Sequence, residues 1–439
     1  MSDRSGTWAC CHLWPDDRYL RRWLLLILAL AFLIRCATAI AVDQYVQAQG
    51  RQFLIEGDAN GYWQLAISIS EGNEYSIYQP PRYVLRMPGF PLLLSASIVV
   101  FGQSTLAASI VLAGVGTSCC WLTWILARKW TDERTSLFAA VLTAFSPLQI
   151  GNSVLILSET WFAFWLLCGL ILLSDLILSL QKIADSGSSE LRFMVKSLIT
   201  GIVIGIGVLV RPGWLLWTGF SALLLIISDR QQRLLRFAGA GLIAAGCVLA
   251  LSPWAYRNST VTGHWIFTSL WSGPSLYDGL HPKATGASDM RFFDEENLSL
   301  TMSEFDVNET YKRRAWDFVA GNPIRAMELG AIKALRYLSP FPNAEGVSGR
   351  SVVFLSLVFY VPFVFLILSG LPILLRRGGG ALLLAGPFLQ FLLVHMVFVG
   401  SVRYRLPVEF PLSVIAAAGI SKVWNVAPNH NRAVTFEGE

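Results

Sequence analysis

The sequence predicts an all-α, multi-pass membrane bundle of about ten transmembrane helices, with two long loops on one side. Three observations carry this reading. Hydrophobic residues make up 54% of the 439 residues and charged residues only 14%, against roughly 25% charged in soluble domains. The mean hydropathy is +0.53. Basic residues recur in alternate connections between apolar runs, the bias that orients membrane proteins. The formal net charge of +5 therefore reads as loop placement, and no nucleic-acid partner is expected. The seven cysteines lie in the N-terminal tail (Cys10 and Cys11 among them) or in apolar runs, so no disulfide framework is implied.

Runs of roughly 17–25 apolar residues suit a bilayer. In chain order they are Arg22–Val42, Thr105–Ala127, Ser136–Ile150, Trp161–Leu180, Ser197–Val210, Trp214–Ser228, Phe237–Trp254, Val352–Leu375, Ala381–Val399 and Pro407–Ile420. The first is too long for a signal-peptide core and reads as a retained span. Arg18, Arg21 and Arg22 precede it and place the N-terminus in the cytoplasm. Arg128, Lys129 and Arg134, then Lys182, Arg192 and Lys196, then Arg230, Arg233 and Arg236, then Arg376 and Arg377, and finally Lys422 keep the alternation. Pro88–Phe101 breaks it if it crosses, so it is expected to lie along the outer face. This leaves residues 1–21 and 423–439 as cytoplasmic tails around a body of 22–422. The outer loops run from about 43 to 104 and from about 255 to 350.

The first outer loop contains "EGDANGYWQLAISIS", which predicts a short helix over Ala59–Ser70 with Tyr62, Leu65, Ala66 and Ile69 on one face. Asp58 stands at its start. Two readings stay open: a helix cap, or a carboxylate held at the membrane mouth for acid–base or metal work. "PPRYVLRMPGFP" follows, with four prolines around Arg82 and Arg86. Prolines stiffen the chain, and arginines fixed among them suit a shaped anion site.

Arg211 in "LVRPGW" and the pair Arg403 and Arg405 in "RYRLPVE" fall on the outer side, against the charge bias. They either snorkel to lipid headgroups or serve a site. Pro407 is expected to open the last span. Arg35 lies inside the first span and is expected to face the bundle interior, paired with an acid. Asp175, near the inner end of its span, is expected to be solvated. The second outer loop, "GHWIFTSLWSGPSLYDGLHPKATGASD", is rich in glycine, aromatics and hydroxyls, as a lid or a sugar-binding surface would be. A helix over Met302–Asn322 carries "YKRRAWDF", whose charges read as a solvated face. His264 and His281 lack metal-ligand spacing. No Walker A pattern and no dinucleotide fingerprint occurs.

In order along the chain, an acidic residue just after the first span, "RMPGFP", "SETWFAF", "RPGW", "SPWAYRN" and "RYRLPVE" resemble the GT-C superfamily of membrane glycosyltransferases. The likeness is to the group of protein O-mannosyltransferases and aminoarabinose (lipid A) transferases, and it covers Arg22 to about Lys422. It implies a GT-C-like bundle with juxtamembrane helices. It also implies transfer of a sugar from a polyprenyl-phosphate-linked donor to a protein, lipid or glycan acceptor at the outer face of the cell membrane. On this resemblance Asp58 is the expected catalytic base or acceptor-orienting group, and Glu159 stands at a second acidic position and is expected to be catalytic too. Arg86, Arg211, Arg257, Arg403 and Arg405 are expected at the donor phosphate, and Tyr62, Arg82 and Tyr404 at substrate. The departure is Leu85-Arg86, where the aminoarabinose transferases carry an acid–lysine pair. Asp58 and Glu159 alone make a thin ligand set for a hard divalent cation, so no obligatory metal is expected, though a divalent ion stays possible. A transporter or flippase of a lipid-linked sugar is the alternative; it would place its site near mid-membrane between repeated halves.

Overall fold

The computed structural model describes residues 13–186, 190–228, 232–343, 349–376 and 380–423. Cys10, Cys11, most of the expected N-terminal tail, Arg230, Arg377 and the C-terminal tail from residue 424 lie outside the described residues. The described chain is built of α-helices, with one isolated backbone bridge between Ile77 and Arg82.

Helix α1 (Arg18–Ala48) is followed by two helices within the first long loop, α2 (Glu56–Ser70) and α3 (Gly89–Phe101). The chain then forms α4 (Thr105–Trp130), α5 (Glu133–Phe145), α6 (Pro147–Asn152), α7 (Glu159–Ser186) and α8 (Glu190–Val210). A 3₁₀ turn (Pro212–Trp214) leads into α9 (Leu215–Ile227), then α10 (Arg233–Thr262). The second long loop folds into α11 (Ser272–Gly279), α12 (Arg291–Glu296), α13 (Glu304–Gly321) and α14 (Pro323–Leu338). The chain ends with α15 (Arg350–Leu375), α16 (Gly380–Val397) and α17 (Val402–Val423).

Seven of these helices are long and apolar enough to cross a membrane: α1, α4, α7, α8, α10, α15 and α16. The other three expected spans also fall on helix, and each departs from a plain span for a visible reason. Ser136–Ile150 is broken at Ser146, where Pro147 starts α6. The Trp214–Ser228 stretch is the short α9 with its preceding turn. The last expected span, α17, carries Arg403, Arg405 and Glu409, yet nearly all its residues from Arg405 to Gly419 are buried. It packs against α15, α5, α16, α7 and α4, and so meets protein rather than lipid. That is why a helix with internal charges can stand at the centre. Its start differs from expectation: the helix begins at Val402, and Pro407 and Pro411 lie inside it.

Close helix crossings rest on missing side chains. A Cβ on Gly370 of α15 would collide with the Ile415 carbonyl of α17, and one on Gly201 of α8 with the Ile243 carbonyl of α10. Small residues let backbones approach where lipid supplies no hydrophobic drive between helices.

Charges mark the two ends of the bundle. Glu159 opens α7, and Asp175 lies roughly 24 Å further along it. There Asp175 pairs with Lys129 at the end of α4, at 2.5 Å, rather than being left to solvent. Arg35 is buried, as expected, but among the described residues it has no acidic partner. Its guanidinium donates to the carbonyls of Thr143 and Ala144, each at 3.1 Å, and to Ala31. The break at Ser146–Pro147 ends α5 and orphans those carbonyls, and Arg35 satisfies them.

Candidate active site

Four helix ends and one loop meet at the end of the bundle that carries the long loops. Asp58 sits in the first turn of α2. It makes no capping bond; the helix begins at Glu56 without a side-chain cap. Instead Asp58 Oδ1 accepts from Arg86 Nη2 at 2.6 Å, and Oδ2 lies 2.8 Å from Arg403 Nη1. The open choice between cap and site carboxylate is thus decided against the cap.

Glu159 is the first residue of α7 and is fully buried. Its position at a helix N-terminus favours its negative charge. Arg403 Nε donates to Glu159 Oε1, so Arg403 bridges the two acids. Arg211 Nη1 lies 2.8 Å from the same oxygen but is not aimed to make a hydrogen bond, and Glu159 Oε2 has no partner. Arg211 is placed by local chemistry. The residue before a proline is driven out of the helical region, and Arg211, before Pro212, is extended at φ −137°, ψ 111°. So α8 stops at Val210 and turns its next side chain into the cluster.

Aromatic rings line the same place. The guanidinium of Arg86 lies over Tyr62 at 5.2 Å, and those of Arg211 and Arg403 over Tyr404 at 5.0 and 5.7 Å. Tyr404 stacks in turn on His395 at 4.3 Å, and His395 Nδ1 bonds the Val399 carbonyl at 2.9 Å. His395 was not singled out in the sequence; a lone histidine within an apolar run was the signal.

Arg86, Arg211 and Arg403 bring three positive charges to the two negative charges of Asp58 and Glu159, an excess of one. Burial alone would raise the Asp58 carboxyl, but the Arg86 and Arg403 guanidinium groups outweigh it and hold it well below the usual carboxylate range. The Asp58 side chain is 26% exposed and that of Glu159 is 0%. Of the two acids, only Asp58 can be reached from outside.

The remaining expected site residues lie elsewhere. Arg257 donates to the carbonyls of Tyr83 and Tyr75, at 2.6 and 2.7 Å. Tyr75 donates its hydroxyl to the Arg86 carbonyl at 3.1 Å. Arg257 therefore holds the loop that carries Arg86, one step behind the cluster. Glu304 completes that brace by accepting from the backbone amides of Tyr83 and Val84. Arg82 stacks over Phe293 at 4.7 Å and lines a separate cavity of about 300 Å³ between the two long loops. Arg405 is fully buried. It donates to Glu409 at 2.6 Å and to the carbonyls of Tyr337 and Ser339 at 2.7 Å each, with its face 4.1 Å from Tyr360. Residues two apart on a helix point about 200° apart, which separates Arg405 from Arg403.

No family model matches the chain. Over 179 residues it is 28% identical to an undecaprenyl phosphate-alpha-4-amino-4-deoxy-L-arabinose arabinosyl transferase of Pseudomonas aeruginosa (strain PAO1), covering 40% of this chain and 31% of that protein. The protein of the same name from Pseudomonas paraeruginosa is 27% identical over the same shares. The chain thus spans about a third of the length of the curated relatives it matches. Among solved structures, the archaeal oligosaccharyltransferase of Archaeoglobus fulgidus, in complex with an inhibitory peptide and a dolichol-phosphate, matches 93% of this chain and 51% of its own. The TM-score is 0.57 and the identity 18%. Its apo form gives a TM-score of 0.51 at 17% identity, over 94% of this chain and 52% of its own. The fold is of the GT-C kind. The apolar helices agree with that fold, and the chain is a multi-pass membrane protein.

Proposed function

We propose that this protein is a polyprenyl-phosphate-dependent glycosyltransferase that works at the outer face of the cell membrane. In this reading the ten apolar segments cross, both tails are cytoplasmic, and the loops of 43–104 and 255–350 lie outside. The observation that carries it is the cluster of Asp58, Glu159, Arg86, Arg211 and Arg403, two carboxylates under three guanidinium groups at the loop end of the bundle. The names of the similar arabinosyl transferases, and the dolichol-phosphate in the archaeal complex, support a lipid-phosphate donor. A transporter would want its charges near mid-depth; these sit at helix ends.

The charge count suits the chemistry. A sugar linked to a lipid phosphate is a phosphodiester with one negative charge, which cancels the excess positive charge. The acceptor hydroxyl oxygen attacks the anomeric carbon and forms the new glycosidic bond. The bond from that carbon to the phosphate oxygen breaks, and its electron pair stays on the phosphate, now a dianion. The acceptor proton goes to Asp58, which becomes neutral. Three positive charges then face the phosphate dianion and Glu159, and the sum is again zero. In a site shielded from water a balanced charge matters, because unbalanced charge is costly at low dielectric. Arg211 and Arg403 suit the phosphate, since a guanidinium fork matches its oxygens. Glu159 holds both arginines, and Tyr404 backs them.

The acceptor, whether protein, lipid or glycan, supplies a hydroxyl or similar nucleophile. Transfer in this reading needs no obligatory metal. Both Asp58 oxygens and Oε1 of Glu159 already face arginines, and a divalent cation would add charge to a cluster that is already positive.

Membranes containing the protein should release polyprenyl phosphate from a polyprenyl-phosphate-sugar donor, with chelator present, and lose this activity in Asp58→Asn. Absence of release with every such donor would end the reading. Sidedness is tested with single cysteines in a cysteine-free background. Asn73→Cys, exposed after α2, should react with an impermeant thiol reagent in intact cells, and Arg134→Cys should not. The reverse pattern would turn the topology over.

A further inference from the structure

We infer that the donor phosphate frees Asp58: in the resting protein Arg86 and Arg403 lock this carboxylate, and the arriving phosphate takes one or both arginines away from it. The inference rests on the function proposed above and concerns the order of events within the same site.

The resting geometry makes Asp58 a poor base. Both of its oxygens are engaged, one by each arginine, at 2.6 and 2.8 Å. An acceptor hydroxyl would have to share an oxygen that already holds a charge-assisted contact, about twice as strong as a neutral hydrogen bond and a drain on its basicity.

The same cluster is under-satisfied at other atoms. Arg86 Nε, Arg211 Nη1 and Glu159 Oε2 are buried without a hydrogen-bond partner. Buried polar atoms are normally paired, and each exception calls for a physical reason. Two of these three atoms are guanidinium nitrogens, one on each side of the Asp58–Arg403–Glu159 chain of contacts; Arg86 Nε has no partner, and Arg211 Nη1 is ion-paired with Glu159 Oε1 at 2.8 Å without being aimed at it. A phosphate presents several acceptor oxygens and can serve both. Once it does, Arg86 has a better partner than Asp58.

Charge permits the exchange. With the donor bound, positive and negative charges are equal in number, so an arginine can turn from carboxylate to phosphate without leaving a net buried charge. Backbone confines the exchange to side chains. The Arg86 carbonyl is held by the Tyr75 hydroxyl, and Tyr75 and Tyr83 by Arg257. Just beyond, a Cβ on Gly89 would stand 2.8 Å from the Leu209 carbonyl, so α3 is seated directly on α8. The segment that carries Arg86 has little room to move, while the guanidinium itself pivots on a long stem. A site built this way does not activate a hydroxyl, or water, until the donor is in place.

The test is the structure of the full-length protein with undecaprenyl phosphate bound, paired with calorimetry. The expected result is phosphate within hydrogen-bond distance of Arg211 and of Arg86 or Arg403, with at least one of the two Asp58 contacts lengthened beyond 4 Å. Phosphate seated at the cluster with both Asp58 contacts kept would overturn the inference and leave the proposed function standing. No phosphate at the cluster would remove both. In solution, a polyprenyl methyl phosphodiester, which keeps one charge from pH 4 to 8, should bind with net proton uptake near pH 4.5. That uptake should vanish in Asp58→Asn. Equal proton uptake in both proteins would count against the exchange.

Discussion

Arg403 and Arg405 stand two residues apart, and the regions they enter differ in one physical respect. Arg403 faces carboxylates, and it shares them with other arginines. Arg405 has one carboxylate to itself, Glu409; it enters the junction where α14 meets the start of α17, and there the cations otherwise face carbonyls. Arg405 donates to Tyr337 and Ser339, Arg336 to Gly400 at 3.1 Å, and Lys333 to Val397 at 2.8 Å. Carbonyls at a helix end attract cations and have no proton to gain or lose. Carboxylates shared among several arginines can change partner and can accept a proton. The carbonyl region is a clamp and the carboxylate region is a site, although the residue types look alike in the sequence.

The sharpest way to break this comparison is Asp58→Asn. The substitution keeps shape and removes the charge and the base. A positioned base contributes roughly 10²–10⁴-fold, so transfer should fall by about that factor while binding of undecaprenyl phosphate survives. Turnover near that of the unchanged protein would reduce the cluster to a structural ion network.

The next largest effect should appear on the clamp side. Arg405→Ala leaves Glu409 buried without its partner, and removing one member of a buried pair costs about 3–5 kcal/mol. The expected outcome is loss of folded protein in detergent, seen as aggregation on size exclusion, rather than a changed dependence on donor. Arg403→Lys should do the opposite. It keeps the charge but loses the fork that spans Asp58 and Glu159, so the protein should fold, and its KM for donor should rise roughly tenfold or more, the equivalent of about 1.4 kcal/mol. If both variants fold and both change donor KM alike, the two arginines share a role and the comparison fails.

How much of this could be read from the sequence follows from the same contrast. Apolar length found the seven long helices and placed the other three expected spans on helix, though it missed the break at Ser146 and the early start of α17, and the proline after Arg211 accounts for where α8 ends because it restricts the residue before it. The convergence of Asp58, Glu159, Arg211 and Arg403 was legible as motifs on one side. The partition among arginines was not. Spacing did hold a clue: Arg405 lies four residues before Glu409, the i,i+4 distance of a helical ion pair, and opposite Arg403 on the helix. The partners of Arg405 on α14, of Arg257 on the first loop and of Arg35 at the broken end of α5 are backbone carbonyls. Every residue carries a carbonyl, so sequence cannot say which ones a tertiary fold leaves free.

The smallest predicted effect concerns Lys333, the other fully buried cation of the clamp. Burial pushes its amine down to about 8, below the ordinary 10.5. The sign follows from proton counts. Below pH 8 the amine is charged both folded and unfolded, and the cost of burying that charge is fully present and constant. Between about 8 and 10.5 the folded protein sheds the proton while the unfolded chain keeps it, so this residue makes stability rise with pH. Lys333→Met removes the charge, keeps an unbranched stem and gives up one bond to the Val397 carbonyl. Thermal unfolding in detergent, followed from pH 7 to 10, should show the unchanged protein gaining on the variant as pH rises above 8, with the difference between them flat below it. A difference that stays flat across the whole range would mean that Lys333 keeps its charge when folded. The carbonyl junction would then be able to hold a bare ammonium without cost, and the distinction between cations that face carbonyls and cations that face carboxylates would lose its energetic basis.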